Sequence, residues 1–227
     1  MSTCALSWSV ELPARGVRSA RPRASLCVSS ESHGEERFSL PVSVGRRLEA
    51  LAAEGFEPAS RAELLHRLGE VSRQCAHARM ETLVGRRDYS CAELGRRLCE
   101  DGFSRSVADE IVSRAREVGI VDDARYGAAF ARSKALSGWG RLRIERELSR
   151  RGVEPSSVPG WPEEFLSAED ERERARSLAS RRRLTGKNDY QKLVRFLCSR
   201  GFAVSLSTSV AREVLSDHGL EPMGTEV

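Results

Sequence analysis

Residues 121–152 read VDDARYGAAFARSKALSGWGRLRIERELSRRG, and their spacing decides the fold. The stretch RLRIEREL at 141–148 holds neither Pro nor Gly and one β-branched residue, so it extends as a helix with Ile144 and Leu148 on one face. Upstream, Asp122 or Asp123 caps a helix carrying Tyr126 and Phe130, and downstream Gly152 ends the second helix. Eight basic side chains (Arg125, Arg132, Lys134, Arg141, Arg143, Arg146, Arg150, Arg151) face four acidic ones (Asp122, Asp123, Glu145, Glu147), and both aspartates stand at the start. Two apolar anchors under many guanidinium groups suit a helix that lies on an acidic partner, either nucleic acid or an acidic protein groove.

Outward from this stretch the same pattern returns twice. Gly102, Gly152 and Gly201 are followed by Phe103, Val153 and Phe202. Four residues before each glycine stand Leu98, Leu148 and Leu197, and eight before stand Leu94, Ile144 and Leu193. An aromatic residue precedes each middle helix: Tyr89, Trp139 and Tyr190. Trp139, between two glycines, reads as a core residue with base or partner stacking as the alternative. A three-helix unit of this size buries little alone, so the copies pack as neighbours. The expected fold is all-α: tandem three-helix repeats in an elongated modular array behind a disordered N-terminal tail.

The expected order is a Ser-, Arg- and Pro-rich disordered tail at 1–38, then a helical extension at 39–77 that is a candidate degenerate repeat around Gly55. In the extension, Ser60 and Glu63 form a capping box for a helix to Val71, and a further helix starts within 74–83. The first repeat occupies 78–121, with Ser90 and Glu93 as a capping box and Ser106 capping a helix whose inner side carries Ile111, Ala115 and Val118. The second spans 122–161, and its third helix is shortened because EPSSVPGWPEEFL contains three prolines. A third repeat at 162–219 restarts at Pro162 and ends with a helix capped by Ser207 or Ser209, and 220–227 fray.

With 40% hydrophobic and 31% charged residues the chain can bury cores, while its net charge of +4 is modest beside the local arginine excess. Its six cysteines form no CxxC pair and read as reduced thiols of a cytoplasmic protein, and no apolar run approaches the length of a membrane span. No catalytic constellation, cofactor loop or metal set emerges. Gly186-Lys187 lacks the glycine and hydroxyl of a phosphate-binding loop, since Arg181 and Asn188 stand there. Asp122 and Asp123 read as helix caps. The basic cluster recurs as Arg86, Arg87, Arg96 and Arg97 before the central stretch and as Arg181–Arg183, Lys187, Lys192, Arg195 and Arg200 after it.

The segments YSCAELGRRLCEDGF (89–103), VDDARYGAAFARSKALSGWGRLRIERELSRRGV (121–153) and YQKLVRFLCSRGF (190–202) resemble the RecX family of bacterial recombinase regulators, in order and spacing, over roughly 78–214. The resemblance implies a modular array of three-helix repeats that binds the RecA filament on single-stranded DNA, bridges its protomers and inhibits ATP hydrolysis and strand exchange, modulating recombination and DNA repair. It makes the eight basic residues above the expected contacts. The expected partners are then the RecA filament, with single-stranded DNA as a second candidate and no membrane, and the chain is expected to act as a monomer. A stand-alone DNA-binding protein that inserts a helix into a groove is the alternative. Two features depart from the family: the extension before about residue 78, and the proline-rich 155–162 where the family carries helix.

Overall fold

The structure, a computed structural model, describes residues 6–14, 21–30 and 33–220. Three strands come first: β1 (Ser7–Glu11), β2 (Arg23–Ser30) and β3 (Gly34–Pro41), antiparallel in the order β1-β2-β3. Nine helices follow among the described residues: α1 (Val42–Ala53), α2 (Arg61–Val84), α3 (Cys91–Asp101), α4 (Arg105–Glu117), α5 (Asp123–Leu136), α6 (Arg141–Arg150), α7 (Ala168–Ser180), α8 (Asp189–Arg200) and α9 (Val204–Asp217). The chain divides into two compact units, residues 1–121 and 122–227.

The sheet corrects the expectation of a disordered tail at 1–38. In β2, RASLCVSS, burial alternates from residue 23 to 29, so that Ala24, Leu26 and Val28 are buried on one face. The other face presents Ser7, Ser9, Ser25, Cys27 and Ser29. Arg37 of β3 reaches Glu11 of β1 at 3.1 Å, although β2 lies between those strands. Helix α1 packs on the buried face, and Gly45 makes this possible: a Cβ there would come within 2.5 Å of the Ala24 methyl.

The helical extension also differs from its reading. One helix of 24 residues, α2, replaces the two expected between Ser60 and Leu83, because nothing in the sequence at 72–74 breaks a helix. Ser104 rather than Ser106 caps α4, accepting from the Val107 amide at 3.3 Å, and Val118 lies outside the core at 53% exposure. The Ser90–Glu93 capping box of α3 is present as read. A single hydrophobic core runs from Ala24 through α1, α2, α3 and α4 to Val121. Arg23 of β2 ties the sheet to the first repeat by donating to the Glu100 carbonyl at 2.8 Å, at the C-terminal end of α3. There Gly102 takes φ +102°, and any Cβ on it would collide with the Arg23 guanidinium.

The 122–227 unit has two cores. One gathers Tyr126, Ala131, Ile144, Leu148, Val153, Val158 and Leu166, and the other joins α7, α8 and α9 through Ala175, Leu193, Leu197, Phe202 and Val210. In the second repeat a 3-10 turn, Pro155–Ser157, stands where a third helix would run, and Val158 seats against Gly127 of α5. Helix α7 starts at Ala168 with Ser167 as its cap, not at Pro162, which lies in a turn. Helix α9 starts after Ala203 with no side-chain cap, so neither Ser207 nor Ser209 serves there. Leu220 aside, the expected fraying of 220–227 falls outside the described residues.

At the start of α8, Asn188 takes φ +55° and Asp189 collects four donors: the Thr185 amide at 2.8 Å and hydroxyl at 2.9 Å, the Gly186 amide at 2.6 Å and Lys192 Nζ at 3.3 Å. Burial alone pushes this carboxyl up, and the hydrogen bonds from Thr185, Gly186 and Lys192 outweigh it, leaving the group below the usual carboxylate range. A depressed folded value stabilises the fold in full above the unfolded carboxylate pKa of about 3.9 and loses that contribution as pH falls through the folded value. The melting temperature of the protein should therefore drop on acidification below about pH 4, and Asp189→Asn should flatten that drop. Parallel melting curves for the two proteins from pH 6 to 2.5 check this, and identical slopes would refute it.

Candidate partner-binding face of the second module

Helices α5 and α6 are brought together by the repeat pattern itself. Leu94, Leu98, Ile144, Leu148, Leu193 and Leu197 are all buried, and Gly102, Gly152 and Gly201 all take positive φ. The Asp122 carboxylate accepts from the Ala124 and Arg125 amides at 2.8 and 3.1 Å, which sets the start of α5. The second helix starts differently. Gly140 and Leu142 donate their amides to the carbonyls of Arg200 and Gly201, at 2.9 and 3.0 Å, and the Arg141 amide donates to Glu171 at 2.9 Å. The free amides of one helix thus meet the free carbonyls of another, α8, and each end satisfies the other.

The structure sorts the eight basic residues into kinds. Three hold acidic partners: Arg141 meets Glu145 at 2.8 Å, while Arg150 and Arg151 share Glu147 at 3.5 and 2.6 Å. Arg151 also donates to the Tyr126 hydroxyl at 3.0 Å. Arg125 is exposed in the first turn of α5. The remaining four, Arg132, Lys134, Arg143 and Arg146, form no ion pair among the described residues.

Aromatic rings floor this part of the surface. Tyr126 and Phe130 stack at 6.3 Å, and Phe130 meets Trp139 edge-on at 6.3 Å. The Arg143 guanidinium lies 3.9 Å above Trp139, Lys134 Nζ sits 5.1 Å from the same ring, and Arg151 lies 4.8 Å above Phe130. Trp139 is half-buried, packed against the core on one side and covered by the chain's own Arg143 and Lys134 on the other. A cation held on a ring gains about 0.5–2 kcal/mol there and keeps its outer hydrogen-bond donors for another group. Arg146 donates Nε to the Leu142 carbonyl at 3.1 Å and is otherwise exposed.

The sequence reading missed the proline-rich segment's part in this face. Trp161 donates Nε1 to Glu145 at 3.2 Å, and the Phe165 ring lies 5.0 Å below Arg132. Its aromatic residues at 161 and 165 were the available signal, masked by the prolines around them. Leu136 and Leu142, on the same two helices, are exposed at 90% and 46%. No cluster of metal-ligating side chains occurs among the described residues, and none of their helices is long and apolar enough to cross a membrane.

These features define a helical-repeat protein with a cation-rich, aromatic-floored face on its second module. Comparison with known proteins agrees: residues 122–158 match the family profile described as RecX, second three-helix domain. The regulatory protein RecX of Trichlorobacter lovleyi is 32% identical over 142 residues, covering 58% of this chain and 90% of that protein. The chain belongs to the RecX family of regulatory proteins. The RecX of Xanthomonas oryzae pv. oryzae is 37% identical over 100 residues, 44% of this chain and 61% of that protein. A crystal structure of a regulatory protein RecX superposes with TM-score 0.57 at 17% identity, over 92% of this chain and 97% of that one. RecX from Lactobacillus salivarius gives 0.55 at 14% identity, over 63% and 96%. At such identities these two likenesses concern the fold.

Proposed function

We propose that this chain regulates the RecA recombinase by binding its filament on single-stranded DNA and lowering ATP hydrolysis and strand exchange, and so modulates recombination and DNA repair as a regulator without catalysis of its own. The observation that carries the reading is the set Arg132, Lys134, Arg143 and Arg146, which have no acidic partner among the described residues and of which three rest on rings. Charge-assisted donors placed this way suit carboxylates or phosphates of a repeating acidic surface. The family membership supports the choice of partner.

Arg141, Arg150 and Arg151 spend part of their hydrogen-bonding capacity inside the module, so they contribute less to binding than the sequence count suggests. Arg143 also supports Trp139, so the test leaves it in place. Arg132→Glu with Arg146→Glu changes two exposed side chains and should leave the helices intact. Lost contacts to charged groups are worth about 1.5–3 kcal/mol each, so the concentration that half-inhibits RecA ATP hydrolysis on single-stranded DNA should rise by at least about a hundredfold. Undiminished inhibition by the double variant would overturn the assignment of this face.

A further inference from the structure

The first module carries a second basic site, distinct from the face on α5 and α6. A cavity of about 420 Å³ opens between the end of α2 and the outer side of α3. Five arginines line it, Arg79, Arg86, Arg87, Arg96 and Arg97, against the carboxylates of Glu93 and Glu100. Asp101, outside the lining, pairs with Arg79 at 2.6 Å and with Arg97 at 3.4 Å. Arg97 also meets Glu100 at 3.4 Å, and Arg87 meets Glu93 at 3.3 Å. Arg86 forms no ion pair among the described residues, and both Arg86 and Arg96 are exposed at the rim.

The lining has apolar surface as well. Leu83 and Tyr89 contribute to it, and the Arg87 guanidinium sits 3.7 Å above the Tyr89 ring, close enough to lie against it. Each ion pair within the cavity leaves guanidinium donors over, because a guanidinium has five N–H groups and each pair here uses one or two. We infer that this cavity binds the phosphate backbone of a nucleic-acid strand, with Arg86 and Arg96 taking phosphates and the Arg87–Tyr89 pair giving a base something to stack on. One carboxylate could not balance the cationic excess, whereas consecutive phosphates carry several charges and bring planar bases with them. The volume suits about one nucleotide.

This inference goes beyond the filament reading and does not need it, because the test contains no recombinase. The full chain is titrated into a fluorescein-labelled 20-nucleotide oligothymidylate at 50 and 200 mM salt, with fluorescence anisotropy as the readout. The protein should bind measurably at 50 mM. Arg86→Glu with Arg96→Glu should weaken binding at least tenfold and lower the steepness of the salt dependence by about one to two in the log–log slope, while the two Arg→Lys changes should stay near the parent. Three results would each overturn the site: no binding at 50 mM, equal binding by the double Glu variant, or displacement by polyglutamate of matched length as effectively as by unlabelled oligothymidylate. The last would assign the cavity to an acidic protein.

Discussion

Gly140→Ala should destabilise the 122–220 region by about 3 kcal/mol or more, measured as a fall in the urea midpoint of unfolding. Gly140 has an ordinary φ of −83°, so alanine suffers no backbone strain there. The whole effect is steric. A Cβ at this position would lie 2.5 Å from the carbonyl carbon and oxygen of Gly201 and from the Phe202 nitrogen. These are main-chain atoms and cannot swing aside as a flexible side chain would. Overpacking costs about 1–3 kcal/mol in a core, and separating the helices would also lose the bonds from Gly140 and Leu142 to Arg200 and Gly201, about 1 kcal/mol each. An unchanged midpoint would mean that the two helix ends do not meet.

Leu148→Ala should act on the 122–220 region and spare the first unit. Leu148 is fully buried in a core whose fully or nearly buried members are Tyr126, Ala131, Ala135, Ile144, Val153, Val158 and Leu166. A large-to-small change at such a site costs about 2–5 kcal/mol, and a core this small has few neighbours that could collapse into the space. The first unit is stabilised by a separate core running from Ala24 to Val121. Unfolding of the variant followed by circular dichroism should therefore become biphasic, with an early step from the 122–220 region and a later step near the parent's transition. A single transition at the parent's midpoint would contradict it.

The sequence made the repeats legible because their signals are local. A glycine forced to positive φ, a leucine one turn before it and a leucine or isoleucine a turn earlier are chemical requirements at fixed spacing, and all three copies meet them. The sheet was not legible for a physical reason. Its outward residues are mostly Ser, Arg and Glu, and their composition looks like a solvated chain unless the alternation of Ala24, Leu26 and Val28 is weighed separately. The continuity of α2 was hidden in the same way, since capping signals mark starts and cannot show that a helix fails to stop.

The candidate face was half legible. The pairs Arg141–Glu145 and Glu147–Arg151 are four residues apart and could have been set aside from spacing alone. Arg143 also stands four residues from Trp139, but Trp139 precedes the N-cap Gly140 and lies outside the helix, so helical spacing does not place its ring, and the stacking of Arg132 on Phe165 depends on how the proline-rich loop returns. Counting charges thus found the region, and only three-dimensional packing shows which charges are available.

The height of the side chains on the outer surface of the N-terminal sheet has a consequence of its own. Arg37 and Glu11 clasp each other across the middle strand, over a floor of Ser25, Cys27 and Ser29. A guanidinium can cross there because the floor is low. Valine or phenylalanine at 25 or 27 would stand in its way, so the small Ser25 and Cys27 side chains are what let the outer strands hold hands across their neighbour.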